Sequence, residues 1–320
     1  MAAEIDTQAE IDIIAEIDMQ AEIDMHTDAC HTPIGIIGIG LVGTALAEIL
    51  LEHGFPVIGY DIDARRCRAL EVSGGRVADS PAAVAGAVDR LVLSLMDSEV
   101  VAQVVEGANG VLTATRLPRY LIDTTTGDPV ATEALAGRLA QRGVGYLDAT
   151  ISGSSRQIRA RAATFMVGAT EPDFAANQDL LQRMGERVYH LGPPGSGSRA
   201  KLASNLVLGL NRLALAEGLV FAGSLGLDPA AFLEVLRHSP AYSVAMDVKG
   251  RRMVEDDFAP EARLRQHLKD VNLILACART AGQHLPLSVV HQELLKQAVD
   301  AGDGDLDNAA VIRAIRRRQR

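Results

Sequence analysis

The chain of 320 residues contains no tryptophan, five tyrosines and six phenylalanines. So few aromatic side chains leave little from which to build a stacking platform for single-stranded nucleic acid. Cysteine occurs only at Cys30, Cys67 and Cys277, with no Cys-x-x-Cys pair. That odd, scattered count excludes a disulfide framework and a cysteine-rich zinc site, and it suits a reducing, cytoplasmic compartment. No metal site is expected. No uninterrupted apolar run has membrane-spanning length. The N-terminus has neither the basic start nor the apolar centre of a secretory signal.

Basic residues are absent from one region in particular. The formal net charge is −10, from 31 basic and 41 acidic residues. Nine of the acids, from Glu4 to Asp28, fall within residues 1 to 32, which hold no lysine or arginine. Removing them leaves 32 acids against 31 bases, so the rest of the chain is near neutral and shows no general footprint for nucleic acid. Residues 3 to 26 read AEIDTQ, AEIDII, AEIDMQ, AEIDMH. A six-residue period fits neither a heptad nor any repeat long enough to stack into a core. A disordered acidic tail over residues 1 to 32 is expected.

What the chain does have is concentrated in residues 34 to 63, IGIIGIGLVGTALAEILLEHGFPVIGYDID. An apolar run, Ile34 to Ile39, turns through Gly38, Gly40 and Gly43 into an amphipathic stretch that ends at His53-Gly54. A second apolar run stops on Asp61. This is strand, glycine-rich turn, helix, strand, acid. The first glycine permits the turn, the second lets a pyrophosphate reach the backbone, and the third lets helix and strand pack closely. Phosphates would then face the free N–H groups of the helix N-terminus. Gly38, Ile39, Gly40, Leu41, Val42 and Gly43 are therefore expected to bind a dinucleotide. A carboxylate at Asp61 suits the two adenosine ribose hydroxyls and repels a 2′-phosphate, which favours NAD over NADP. Arg65 and Arg66 lie just beyond and partly offset that preference.

Apolar runs at Leu91 to Leu95, Tyr120 to Asp123, Tyr146 to Ile151, Thr164 to Val167 and Val188 to Leu191 alternate with helical patterns. Such alternation predicts an α/β, doubly wound parallel sheet over residues 33 to 194, with functional groups at the C-terminal ends of its strands. After Gly192-Pro193-Pro194-Gly195 the strand signal stops. Long apolar-periodic segments follow, beginning with Lys201 to Gly223. Residues 195 to 320 are predicted to form an all-α domain that makes one wall of a substrate cleft.

Three further stretches carry chemistry: Asp148 to Ser154 (DATISGS), Gly195 to Asn205 (GSGSRAKLASN) and His267 to Ala276 (HLKDVNLILA). Lys201 and Asn205 are four apart and share a helix face. With Gly38, Gly40 and Gly43, with Asp123-Thr124-Thr125-Thr126, with Lys269-Asp270 and with Gly302 to Asp307 (GDGDLD), these motifs resemble the β-hydroxyacid dehydrogenase family over residues 34 to about 316. The resemblance implies a Rossmann-type N-terminal domain, a helical C-terminal domain, and NAD(P)-dependent interconversion of a small β-hydroxyacid and its semialdehyde or keto acid. It implies Lys201 as the catalytic proton donor and acceptor, with Ser152, Gly153, Ser154 and Asn205 binding an anionic substrate. Leu95, Met96, Thr126 and Lys269 are implied to contact the cofactor. A homodimer or homotetramer built through the helical domain is implied as well. The wide apolar faces of residues 202 to 210 and 213 to 223, too apolar for one-sided burial, point the same way.

Two departures stand out. Residues 154 to 162 carry Arg156, Arg159 and Arg161 where the family is glycine-rich and small, and the family's Asn-Asn pair is here Ser204-Asn205. The arginines read as a solvated face or as an extra anion contact. Imine reduction on the same fold and a non-catalytic dinucleotide-binding module are the competing functions. The retained Lys201 argues against both.

Overall fold

The computed structural model describes residues 32–318. The expected acidic tail therefore lies, but for Thr32, outside the described residues. Eight strands form one sheet: β1 (Ile34–Ile37), β2 (Val57–Tyr60), β3 (Arg76–Val77), β4 (Arg90–Leu93), β5 (Tyr120–Asp123), β6 (Gly145–Ser152), β7 (Thr164–Gly168) and β8 (Arg187–His190). Their order is β3-β2-β1-β4-β5-β6-β7-β8. The chain thus reverses direction across the sheet at β1, which opens a crevice at the C-terminal ends of β1 and β4.

The crossovers on this sheet include α1 (Leu41–Glu52), α2 (Ala64–Val72), α3 (Pro81–Gly86), α4 (Ser98–Glu106) and α5 (Pro129–Ala140). Local chemistry sets their starts. Ser80 Oγ accepts from Ala83 N at 3.1 Å, Asp97 Oδ1 from Val100 N at 3.0 Å and Asp128 Oδ1 from Val130 N at 2.9 Å. Pro81 and Pro129 occupy first-turn positions where a missing N–H costs nothing. Ile36, Val92, Ile122 and Leu147 fill one face of the sheet, and Ile37, Leu91, Leu93 and Leu121 the other. Burial on both faces explains why these strands read as unbroken apolar runs.

The sequence predicted a parallel sheet, and every strand pair is parallel except one. β7 pairs antiparallel with β6, and β8 runs parallel to β7. Residues 153–163 join β6 to β7 and contain only a five-residue helix, α6 (Ser155–Arg159). That is too little chain for a covered crossover, so β7 folds back. The two-residue β3 carries no periodicity of its own and is visible only in the fold. Between β7 and β8 lie α7 (Glu171–Ala175) and α8 (Gln178–Met184).

Beyond β8 the described residues form helices: α9 (Ser196–Ser224), α10 (Pro229–Arg237), α11 (Arg251–Glu255), α12 (Leu264–Thr280), α13 (Pro286–Asp300) and α14 (Val311–Arg318). A five-residue π-helical turn, Met246–Gly250, precedes α11. Leu215, Leu219, Met253, Leu264, Val271, Leu295 and Ile312 share a second core. The GDGDLD segment is structural. Asp303 pairs with Arg313 and Arg317 at 2.6 Å each, and buried Asp307 accepts from Lys249 Nζ at 2.9 Å and from the N–H groups of Glu261, Ala262 and Ala309. By length and composition alone α9 could cross a membrane, although Arg212 and Glu217 interrupt its apolar run. Here it is the central helix of a packed domain and buries Lys201, Asn205 and Arg212.

The first turn of α9 rests on β6 and β7. A Cβ on Gly197 would strike the Asp148 and Met166 carbonyls, and Thr150 Oγ1 donates to Gly197 O at 2.9 Å. Asp148, 2 % exposed, accepts from Gly195 N at 3.0 Å and Ser198 N at 2.6 Å, and so caps the helix. Burial nevertheless dominates and pushes the Asp148 carboxyl up to about 6 from 3.8. The folded protein holds this proton more tightly than the unfolded chain does. The stability that Asp148 contributes is thus full below about pH 4 and is lost as pH rises through about 6. Relative to an Asp148→Asn variant, the wild type should lose on the order of 3 kcal/mol across that window. Urea unfolding of both proteins at several pH values from 4 to 7 checks this; parallel stability curves would refute it.

Candidate active site

The glycine-rich turn has the form of a phosphate cradle. Gly38 adopts φ +91°, a left-handed conformation open to glycine, and a Cβ there would strike the Ser94 carbonyl. A Cβ on Gly43 would strike Gly38 O, so this position fixes α1 against β1. Around Gly40, in contrast, a Cβ would meet nothing within 4 Å. Gly40 is the N-cap of α1, no side chain caps that terminus, and its first turn contains no acid. Space and N–H groups without a partner among the described residues coincide there, which is what a pyrophosphate requires.

Asp61 follows β2. Its carboxylate accepts from Ile39 N at 2.7 Å, Asp63 N at 2.8 Å and Arg66 Nη1 at 3.2 Å, and so ties the glycine turn to the end of the neighbouring strand. Arg65 turns instead to Asp63, with Nη2–Oδ2 at 2.9 Å. Ile39 is buried and Val42 half-buried, but Leu41 is 64 % exposed, Ile62 92 % and Met96 67 %. These three apolar side chains follow β1, β2 and β4 at their C-terminal ends. A dinucleotide bound along the crevice would cover them, and Ile62 had given no sequence signal. The residues present fit a nicotinamide dinucleotide.

The helical domain reaches the same crevice through α12. Lys269 Nζ donates to Met96 O at 2.8 Å and Thr126 O at 3.0 Å, so one cation spans the loops after β4 and β5. Leu95, in the first of these loops, donates its N–H to Thr125 Oγ1 at 3.0 Å. Next in sequence, Asp270 accepts from Asn205 Nδ2 at 3.1 Å. Lys201 is buried one turn before Asn205, and its ammonium forms no hydrogen bond among the described residues. Burial lowers the Lys201 pKa to about 8, while the Asp270 charge works in the opposite direction. Asp270 itself is shifted upward by burial, against the pull of Lys269 and Lys201.

Farther along this helix face, Gly209 packs against His267 and His291, whose ring centroids are 5.1 Å apart. Burial pushes His267 far down and His291 to about 4, so both rings are neutral at pH 7. Sequence reasoning gave no role to Asp270 or His267. The signal available was Asn205, an amide on a buried face that needs an acceptor.

Ser152 closes β6, and Gly153 follows. Ser154 N donates to Gln157 Oε1 at 2.8 Å, and Ser154 Oγ accepts from Gln157 N at 3.3 Å, a capping box for α6. Both polar groups of Ser154 are thus engaged within the loop, leaving Ser152 and Gly153 open. Of the three arginines, Arg159 pairs with Glu48 of α1 at 2.5 Å and Arg161 donates to Gln182 O at 2.9 Å. Arg156 is exposed.

A doubly wound domain with a phosphate cradle, joined to a helical domain that presents a buried lysine, defines a nicotinamide-dinucleotide oxidoreductase. Residues 33–192 match the model of the NAD-binding domain of 6-phosphogluconate dehydrogenase. Residues 195–315 match that of the NAD-binding domain of NADP-dependent 3-hydroxyisobutyrate dehydrogenase. The chain belongs to the β-hydroxyacid dehydrogenase family. It is 32 % identical to 2-(hydroxymethyl)glutarate dehydrogenase of Eubacterium barkeri over 281 residues, 88 % of this chain and 93 % of that protein. It is 37 % identical to mitochondrial 3-hydroxyisobutyrate dehydrogenase of Mus musculus over 211 residues, a match spanning 66 % of this chain and 63 % of the mouse protein. Among solved structures, 3-hydroxyisobutyrate dehydrogenase from Salmonella typhimurium superposes with a TM-score of 0.81 at 26 % identity, covering 88 % of this chain and 99 % of that one.

The glycines separate folding from binding. Gly40→Ala should leave the melting temperature within a degree or two but weaken dinucleotide binding about tenfold or more, because the methyl enters the open space above α1. Gly43→Ala should lower the melting temperature by several degrees through overpacking. Thermal unfolding with and without dinucleotide distinguishes the two; equal effects would refute the cradle.

Proposed function

We propose that the protein is an NAD-preferring dehydrogenase that interconverts a small β-hydroxyacid and its semialdehyde or keto acid. One observation carries this reading. The ammonium of buried Lys201 forms no hydrogen bond among the described residues and feels the charge of Asp270, which also holds Asn205. An ammonium placed so is available to a substrate oxygen. The names of two relatives, which act on 3-hydroxyisobutyrate and 2-(hydroxymethyl)glutarate, support the substrate class.

A bound nicotinamide supplies the hydride acceptor in oxidation and the hydride donor in reduction. Gly38 to Gly43 would hold its pyrophosphate, Asp61 the adenosine ribose, and Leu95, Met96, Thr126 and Lys269 the region near the reacting carbon. Asp61 favours NAD; Arg66, already in contact with Asp61, is the group that could turn to a 2′-phosphate. Ser152 and Gly153 would bind the substrate carboxylate, with Ser154 shaping their loop. Arg156 stands beside that loop for a further anion contact. Asn205, oriented by Asp270, would align the substrate oxygen with Lys201. During oxidation the neutral Lys201 amine takes the hydroxyl proton as the C–H bond breaks; in reduction the ammonium returns it to the forming alkoxide and stabilises the developing charge.

Turnover with a panel of small hydroxyacids, each offered NAD and NADP, tests the substrate class and the cofactor preference together. Lys201→Met should cost on the order of 10²–10⁴-fold in kcat and leave NAD affinity largely intact. With Lys201 at about 8, kcat/KM for oxidation should rise with pH to a plateau above that value, and reduction should fall over the same range. A variant keeping more than about a tenth of wild-type kcat, or an oxidation profile flat from pH 6 to 10, would remove Lys201 from the chemistry.

We also propose a homodimer or homotetramer joined through the helical domain. Val207, Leu208, Phe221 and Val290 lie exposed on α9 and α13. Phe221 and Val290 border a groove with Ala214, Gly218, Leu294 and Ile315, whose small residues admit a closely packed helix. Light scattering at micromolar concentration should give a mass of at least twice the 34.0 kDa chain. A monomer mass that does not change with concentration would refute this.

A further inference from the structure

The loops after β4 and β5 form one wall of the proposed cofactor crevice, and a buried network stands behind them. Tyr146, at the start of β6, donates its hydroxyl to Asp123 Oδ2 at 2.7 Å. Asp123 Oδ1 accepts from Thr125 N at 2.9 Å, and Thr125 Oγ1 accepts from Leu95 N at 3.0 Å. A second stitch joins the same loops, from Asp128 N to Ser98 Oγ at 2.8 Å. Tyr146, Asp123 and Thr125 are each 5 % exposed or less.

Asp123 is held by a hydroxyl and an N–H, and the nearby cation, Arg138, is taken by Glu106 at 2.6 Å. Burial pushes the Asp123 carboxyl up and the Tyr146 hydroxyl well above its usual value. A buried acid without a counter-ion costs stability that an apolar side chain of the same volume would not. Asp123 is 5 % exposed, and in the proposed function the proton carrier is Lys201. What Asp123 touches is the loop backbone.

We propose that Tyr146, Asp123 and Thr125 are positioning residues for the nicotinamide dinucleotide, setting the backbone of Leu95, Met96 and Thr126 before the cofactor arrives. This rests on the reading of those three residues as cofactor contacts. Lys269 grips Met96 O and Thr126 O from the opposite side, so the wall is fixed from within the sheet and from the helical domain. A wall set in advance reduces the ordering that binding must otherwise supply.

Thr125→Val keeps the shape and the N–H to Asp123 but removes the acceptor for Leu95 N. Tyr146→Phe removes the donor to Asp123. Binding of NAD and NADH to the purified full chain is measured by calorimetry, with kcat, dinucleotide KM and melting temperature in parallel. Each variant should raise dinucleotide Kd and KM about three- to tenfold, as expected for one lost hydrogen bond, with kcat within about twofold of wild type and the pH profile of Lys201 unmoved. Thr125→Ser should restore wild-type binding. The proposal is overturned if Thr125→Val binds dinucleotide as the wild type does, if kcat falls while KM holds, or if Thr125→Ser fails to restore binding. A wild type that binds no dinucleotide overturns the parent reading as well, and that outcome is distinct because it appears before any variant is made.

Discussion

The seating of α9 on the backbones of β6 and β7 is the constraint on which the rest of the site depends. Two glycines make the approach possible: Gly197 inside the helix, and Gly168 on β7, where a Cβ would strike the Asp148 carboxylate. Asp148 then binds the first free N–H groups of the helix. A helix advances about 1.5 Å per residue. A fixed start therefore fixes the position of Lys201 relative to the end of β6, where Ser152 and Gly153 lie. Had α9 been docked only through apolar side chains, it could slide by fractions of a turn. The buried carboxylate and the bare glycine contacts remove that freedom.

Charge in the site is balanced between burial and pairing. Lys201 and Asp270 both lose solvation, and burial shifts each toward its neutral form while the mutual field opposes it. For Lys201 the result is a pKa of about 8, near the pH at which a group can both give and take a proton. Behind it the histidines are held neutral, and Arg212 is buried with Nε and Nη1 unpartnered among the described residues. The polar stripe on α9 thus runs well beyond the groups a small substrate could touch.

Much of this was legible in the chain. The glycine spacing, the apolar run on each side of it and Asp61 give the first βαβ unit because each feature acts within thirty residues. The α/β-to-helical change after Gly195 is equally local, since strand and helix periodicity differ over any dozen residues. What stayed hidden are features set by distant pairs. Asn205 meets Asp270 across 65 positions, and Leu95 meets Thr125 across 30. Neither pair has a spacing rule. The reversal at β7 depends on how much chain separates it from β6, and α6 is too short to announce itself by periodicity. Ser154, read as a substrate contact from its motif, has its hydroxyl and N–H committed to Gln157 only because α6 begins there.

Lys201, Asn205, Gly209 and Arg212 fall within one narrow stripe of α9, since each residue turns the helix by about 100°. The site is therefore written in angular phase. One residue inserted between Gly195 and Lys201 would swing the whole stripe away from α12 while leaving every side chain chemically intact. An insertion of seven would nearly restore the angle but shift the stripe along the axis, by about 10 Å. Sequence change in this segment is thus confined to substitution.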